Sequence, residues 1–240
     1  MMSKKEVNSL AVLFVLHQQR MMNIAKYTET LPKDPTKCVR KLLPIMDEEL
    51  RTYERHTACR PGCFACCGYT VVCSVPEVLL VATEIRRHRT AKERAMLLAT
   101  LEAMAERERQ GLRTEGGPHL CPLLDTKGRC SVYAARPFPC RGFNSTNATV
   151  CGDPKQDRPY VGEITTTAFF LSIAVRRHVP HALDVSVELC AALVIALRRD
   201  DAEARFMRGE DVFAEAYVNT QPYEKYASTL HDRTEGAEEP

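Results

Sequence analysis

Four thiols fall within nine residues at Cys59-Arg-Pro-Gly-Cys63-Phe-Ala-Cys66-Cys67. An apolar core has no use for that density. Two adjacent cysteines also cannot bridge without strain, since a disulfide wants Cα atoms about 4.4–6.8 Å apart. Three later cysteines each lie near a turn former: Cys121 before Pro122, Cys130 after Gly128, Cys140 after Pro139. Turns of this kind let a chain wrap an ion and aim several side chains inward. Thiolate sulfur is the soft donor that selects zinc, cuprous copper and iron–sulfur clusters. Four ligands fill one tetrahedral zinc or one cubane cluster. Seven thiolates overfill either, whereas two tetrahedra sharing one bridging sulfur would use all seven. Alternatively, four thiolates hold an iron–sulfur cluster and three serve a second site. Adjacent side chains point apart, so Cys66 and Cys67 suit two metals, or two corners of a cluster, better than one ion. The count favours more than one metal atom and leaves the element open.

Composition excludes the main competing uses of cysteine. With 240 residues the chain is long enough to bury a core and does not depend on disulfides for folding. Its eleven cysteines are odd in number and bunched, unlike a disulfide framework. A formal net charge of +2, from 33 basic and 31 acidic residues, provides no field to draw nucleic acid or anionic lipid. Neither a nucleic-acid partner nor a membrane is expected. The apolar run Leu10–Leu16 is followed by polar His17-Gln-Gln-Arg20 and lacks a small-residue cleavage site, so it reads as a buried helix rather than a signal peptide. It is also far short of the ~20 apolar residues of a membrane span. The expected location is the cytoplasm, where the sequons at Asn144 and Asn147 carry no meaning.

Along the chain, residues 6–30 read as a helix, and Pro32, Pro35 and Pro44 punctuate the stretch after it. A second helix is expected over 45–57. Ser74-Val-Pro-Glu77 and Thr90-Ala-Lys-Glu93 have the form of capping boxes. They predict one helix from about 75 and another to about 110, closed by Gly111 and Gly116-Gly117-Pro118. Residues 118–145 are loop-rich, with a turn at Asp125-Thr-Lys-Gly128. Buried helices are expected over 164–178 and 184–199. The fold class predicted is mainly α, with helices packed around a loop-rich, metal-stapled cysteine module. The divisions expected are an N-terminal helical segment (1–56), the cysteine module (57–145), a C-terminal helical segment (146–228) and a disordered acidic tail (229–240).

The first cysteine group, the helix start Val-Cys-Ser-Val-Pro-Glu77 and the run CPLLDTKGRCSVYAARPFPCRGF (121–143) together resemble the YkgJ-type cysteine-cluster family. That family carries the CxxCxxCC signature and is described as chelating zinc or iron. The resemblance covers roughly 57–145 and implies metal binding without implying a reaction. Here three residues separate Cys59 from Cys63 where the signature has two. A similar cluster occurs in flagellin lysine methylases, where an iron–sulfur cluster is implicated in methyl transfer. The flanking helices here give no basis for extending that substrate.

The metal ligands expected are therefore Cys59, Cys63, Cys66, Cys67, Cys121, Cys130 and Cys140, holding an iron–sulfur cluster or zinc. Arg136 and Arg141 flank Cys140 and are the best non-cysteine candidates, either balancing thiolate charge or gripping an anionic substrate or cofactor. Tyr133 is expected to pack under the loop. His56 and His119 lie near the cysteine groups but are not needed as ligands. Cys38, Cys73, Cys151 and Cys190 read as buried or spare thiols, with Cys73 and Cys151 nearest the clusters. The function expected is a metal-binding structural or interaction module. An iron–sulfur enzyme, for instance a methyl-transferring one, and a metal carrier or sensor remain the alternatives. No catalytic residue is identified.

Overall fold

Helix α1 (Pro35–Thr52) buries Pro35, Cys38, Val39, Leu42, Leu43, Met46 and Glu49. That three-and-four spacing is the apolar stripe of a helix laid on a core. Asp34 caps it by accepting from the Lys37 amide at 2.8 Å, and Pro35 occupies the first turn, where no amide is needed. The sequence suggested a helix only over 45–57, with Pro44 as a break. The helix instead runs through Pro44, which is exposed, so water can serve the Arg40 carbonyl that loses its helical donor.

The computed structural model describes residues 15, 17–24, 26–27, 30–112, 119–151, 153, 155–180 and 186–218. The acidic tail 229–240 and the Gly116-Gly117-Pro118 break lie outside the described residues. Within 6–30, the described residues 17–24 and 26–27 are helical. Two helices begin where their capping boxes predict: α2 (Val75–His88) and α3 (Ala91–Arg109). The first cysteine group precedes α2, and a short helix α4 (Phe138–Gly142) carries Cys140. After it come α5 (Gly162–His178), α6 (Leu189–Arg198) and α7 (Ala202–Met207).

The architecture is mainly α, as expected. Helix α2 packs on α1 and α6, α6 also packs on α3, and α5 packs on α1 and α4. Leu42, Met46, Leu80, Ile85, Leu101, Phe138, Ile164, Leu171, Leu193 and Phe213 fill the core. Each such side chain contributes roughly 1.5–3 kcal/mol over its exposed state. Only two short strands are described, β1 (Val72–Cys73) and β2 (Val187–Glu188), paired antiparallel with Val72 opposite Glu188. The helix expected over 184–199 thus begins later, at Leu189. Residues 181–185 lie outside the described set. Among the described residues, no helix is long and apolar enough to cross a membrane.

Two buried carboxylates lock these helices together. Glu49 on α1 takes His17 Nδ1 at 2.9 Å, Thr167 Oγ1 of α5 at 3.2 Å, and Arg20. Glu77 on α2 accepts from the Ser74 amide (2.9 Å) and Ser74 Oγ (2.6 Å) through Oε2. Its Oε1 accepts from the Phe138 amide at 2.7 Å, and Ser172 Oγ lies 3.3 Å from Oε2. A capping residue legible in the sequence therefore also pins the start of α4, which lies 61 residues along the chain. Such a buried carboxylate is tolerated because both its oxygens find donors.

Candidate metal centre

The nine-residue stretch folds as tight turns. Gly62 adopts φ +86°, a left-handed conformation that suits glycine, and the Cys63 amide closes on Arg60 O at 2.9 Å. A single 3₁₀ turn, Ala65–Gly68, then carries Cys66 and Cys67. The second group sits on a hairpin-like loop. Asp125 Oδ1 accepts from the Lys127 and Arg129 amides at 2.8 Å each, and Leu124 bridges Cys130. The turn predicted at Asp125–Gly128 is present, with Gly128 at φ +71°. A Cβ there would meet Phe64 Cδ1 at 2.7 Å, so the missing side chain lets the Phe64 ring lie against the turn. This is where the two cysteine segments touch. The Cys121 amide donates to Cys67 O at 2.8 Å, joining them through the backbone.

The thiols converge on one region rather than on one point. Cys59 and Cys63 are exposed, and Cys66, Cys67, Cys121, Cys130 and Cys140 are half-buried. Among the described residues, no three His, Cys, Asp or Glu side chains stand at the spacing of a preassembled metal site. The electrostatics nevertheless tie the segments together. Cys66 and Cys67 share a hydrogen bond that lowers the Cys66 thiol and raises Cys67, and Arg136 further favours the Cys66 thiolate. Arg136 Nη2 stands 3.7 Å from Cys66 Sγ. Burial works against the Arg136 charge, but Cys140, Cys66, Cys130 and Cys67 together more than offset it. Burial pushes Cys140 up to about 12 against the pull of Arg136, with Cys121, Cys66 and Cys130 adding to the rise.

The two arginines expected beside Cys140 occupy different places. Arg136 faces the sulfurs. Arg141 is only 3% exposed, and its fork is spent on the protein. Nε donates to Arg136 O at 2.9 Å, Nη2 to Tyr133 O at 2.8 Å and Ala134 O at 3.4 Å, and Nη1 to Asp47 on α1. It clamps the 133–136 turn to α1. Tyr133, expected under the loop, is instead 56% exposed, with the Arg141 and Arg136 guanidinium carbons 5.4 and 5.9 Å from its ring centre. The reason is that Arg141 takes the buried position beneath the turn. His56 is exposed and stacks edgewise on Tyr53, while His119 Nε2 lies 3.2 Å from Arg107 Nη1.

Sequence reasoning did not find Asp47, the anchor of the Arg141 fork, because it lies 94 residues before Arg141 in the chain. The sequon residue Asn144 is also structural. It is 2% exposed, its Oδ1 accepts from the Val161 amide at 2.8 Å, and its Nδ2 donates to Gly142 O and Val161 O. Cys38, Cys73 and Cys190 are buried, and burial raises the Cys38 and Cys73 thiols.

The backbone junction of the Cys67 and Cys121 segments and the Arg136 guanidinium beside Cys66 Sγ place soft donors and a cation in one region, a donor chemistry suited to zinc or iron. Residues 58–160 match the model of the CxxCxxCC family, whose description is "Putative zinc- or iron-chelating domain". The match agrees with the motif resemblance and supports metal binding, with zinc and iron as the candidates. Its span runs beyond Phe143 and takes in Cys151. No curated protein and no solved structure matches the chain.

Proposed function

We propose that the chain is a metal-binding structural or interaction module in which Cys59, Cys63, Cys66, Cys67, Cys121, Cys130 and Cys140 hold a centre of more than one metal atom. The observation that carries this reading is the contact between the two cysteine segments: the Cys121 amide on Cys67 O, with Arg136 beside Cys66 Sγ. Two helices separate these stretches, yet the second segment folds back on the first, with Leu123, Val132, Ala135 and Phe138 anchoring it in the core and its thiol-bearing turns left at the edge. Ligand bonds would supply local stability at that edge, since metal binding is folding free energy in such modules. Arg136 offsets the negative charge of the thiolate set, and helices α1, α2 and α5 form the rigid frame behind it. An iron centre is preferred over zinc, because overfilled and adjacent thiolates suit a multinuclear cluster. When bound, an iron–sulfur centre would add electron-transfer capacity to the cross-linking that either metal provides.

Anaerobic purification followed by zinc, iron and sulfide analysis tests the reading. Iron–thiolate centres absorb visible light and zinc–thiolate centres do not, so colourless zinc-replete protein would overturn the choice of iron. Cys66→Ser and Cys130→Ser should each lower metal content and speed proteolysis of the 118–145 loop. Either variant retaining full metal and full protease resistance would remove that cysteine from the ligand set.

A further inference from the structure

The outer face of α5 carries apolar side chains that the fold leaves uncovered. With 3.6 residues per turn, Ile164, Ala168, Leu171 and Val175 line one side of the helix, and all four are buried. That side packs on α1 and α4, through Thr167 against Glu49 and Ala168 against Gly142. The opposite side carries Glu163, Thr166, Phe169, Phe170, Ile173 and Arg177. Thr166 and Ile173 are half-buried, while Phe169 is 52% and Phe170 42% exposed. The two rings meet edge to face with centres 5.7 Å apart, forming one apolar knob in the middle of the helix. A single exposed ring is ordinary on a protein surface, but this pair sits between opposite charges at the two helix ends.

Those charges point to the occupant. Glu163 lies in the first turn and Arg177 in the last, and among the described residues neither joins an ion pair. Both placements suit the helix dipole, yet the dipole gives no reason for two exposed rings between them. A second copy of the same helix, laid antiparallel about a twofold axis between Phe169 and Phe170, complements every position. Phe169 then meets Phe170 of the second copy, Thr166 meets its Ile173, and Glu163 meets its Arg177. All three pairs straddle the same point on the helix, as a self-complementary contact requires. Parallel pairing would instead set Glu163 against Glu163 and Arg177 against Arg177.

We propose that α5 is the contact of a homodimer, in which the Phe169–Phe170 faces of two copies pack antiparallel with Glu163 of each against Arg177 of the other. The proposal stands apart from the metal reading. Helix α4, with Cys140, lies against the buried side of α5, so this pairing leaves the cysteine module of each copy uncovered. An aromatic side chain buries about 150–250 Å² at most, whereas a standard interface buries about 1,200–2,000 Å² in total. A single helix face therefore makes a reversible dimer of micromolar strength rather than an obligate one.

Sedimentation of the full-length protein over about 1–200 µM tests this, with reductant present so that no disulfide links two chains. Wild type should pass from the mass of one chain to that of two with a Kd of about 1–100 µM. The mass of one chain throughout would overturn the proposal and leave residues 1–14 or a different protein as the cover of this face. Phe170→Glu should weaken the dimer at least about tenfold, because it sets carboxylates in the centre of an apolar contact. Glu163→Arg and Arg177→Glu should each weaken it about tenfold by bringing like charges together at both ends. The Glu163→Arg/Arg177→Glu double variant restores opposite charges and should return to within about threefold of wild type. A double variant as weak as the single ones would exclude the antiparallel register, and an undiminished Phe170→Glu dimer would place the contact on another face. Circular dichroism checks folding, and the charge variants at the rim decide if Phe170→Glu does not fold. Metal per chain should be equal in all variants. Metal lost together with the dimer would mean that metal joins the copies, and would overturn the helix contact.

Discussion

Replacing Arg141 separates a charge-balancing role from a structural one. Had its positive charge alone mattered, Arg141→Lys would be nearly silent. The structure leads to a different expectation, because the guanidinium makes three separate contacts to the carbonyls of Tyr133, Ala134 and Arg136 and a fourth to Asp47. A lysine ammonium is a compact point donor and cannot span them. Hydrogen bonds from charged donors contribute about 1.5–3 kcal/mol each, and the carbonyls left behind lose their partner. The Asp47 side chain is 42% exposed, so that ion pair is screened by solvent and adds little. Counting the two shorter carbonyl bonds, Arg141→Ala should cost about 3–6 kcal/mol and Arg141→Lys roughly half of that. For a chain of this size, 1 kcal/mol shifts Tm by about 2–4 °C, so the alanine variant should melt about 6–24 °C lower. Thermal unfolding of metal-loaded and metal-stripped protein would measure this, with metal content read in parallel. The drop should persist in stripped protein, since none of the four contacts involves a sulfur. A lysine variant within about 0.5 kcal/mol of wild type, the range of a neutral surface change, would refute the clamp.

Other perturbations probe the frame around the site. A Cβ on Gly142 would stand 2.5 Å from Ala168 Cβ, where α4 crosses α5. Gly142→Ala should destabilise by about 1–3 kcal/mol through overpacking, and adding Ala168→Gly should recover much of it in a double-mutant cycle. Additive losses would mean that the two helices do not meet there. Glu77→Gln leaves the Phe138 amide and the Ser74 pair competing for one acceptor oxygen. It should cost about 1–3 kcal/mol and loosen Cys140, visible as faster amide exchange in 138–142. Glu84 on α2 is held below the usual carboxylate range by the Arg40 hydrogen bond from α1, with His88 and Arg87 assisting. A depressed folded value means the stabilisation is present above the unfolded value of about 4.3 and is lost as pH falls through the folded one. Arg40→Met should flatten that acid limb of the stability curve, and an unchanged limb would exclude the pair as its source.

Much of the local structure was legible in the sequence because its causes are local. Ser74, Glu77, Thr90 and Glu93 mark helix starts by bonding to backbone within three residues, so spacing alone reveals them. Asp125 and Gly128 make their turn in the same way, and the crowding of Cys59, Cys63, Cys66 and Cys67 points to soft-metal chemistry in any fold. The tertiary structure decided whatever depends on a partner far along the chain. Val187 and Glu188 carry an apolar pattern that reads as helix, but Val72 and Cys73 offer them backbone partners and draw them into a strand. Pro44 reads as a break, yet α1 continues because its stripe has α2 and α5 to bury against. Arg141 reads as a cation beside a thiolate, until Asp47 and three turn carbonyls claim its donors. Cys151 reads as a buried or spare thiol and is buried, but that its loop lies beside the first cysteine group follows only from the Ala58–Ser145 and Tyr69–Cys151 contacts. A side chain's type is written in the sequence, but the groups available to satisfy it are set by which segments meet.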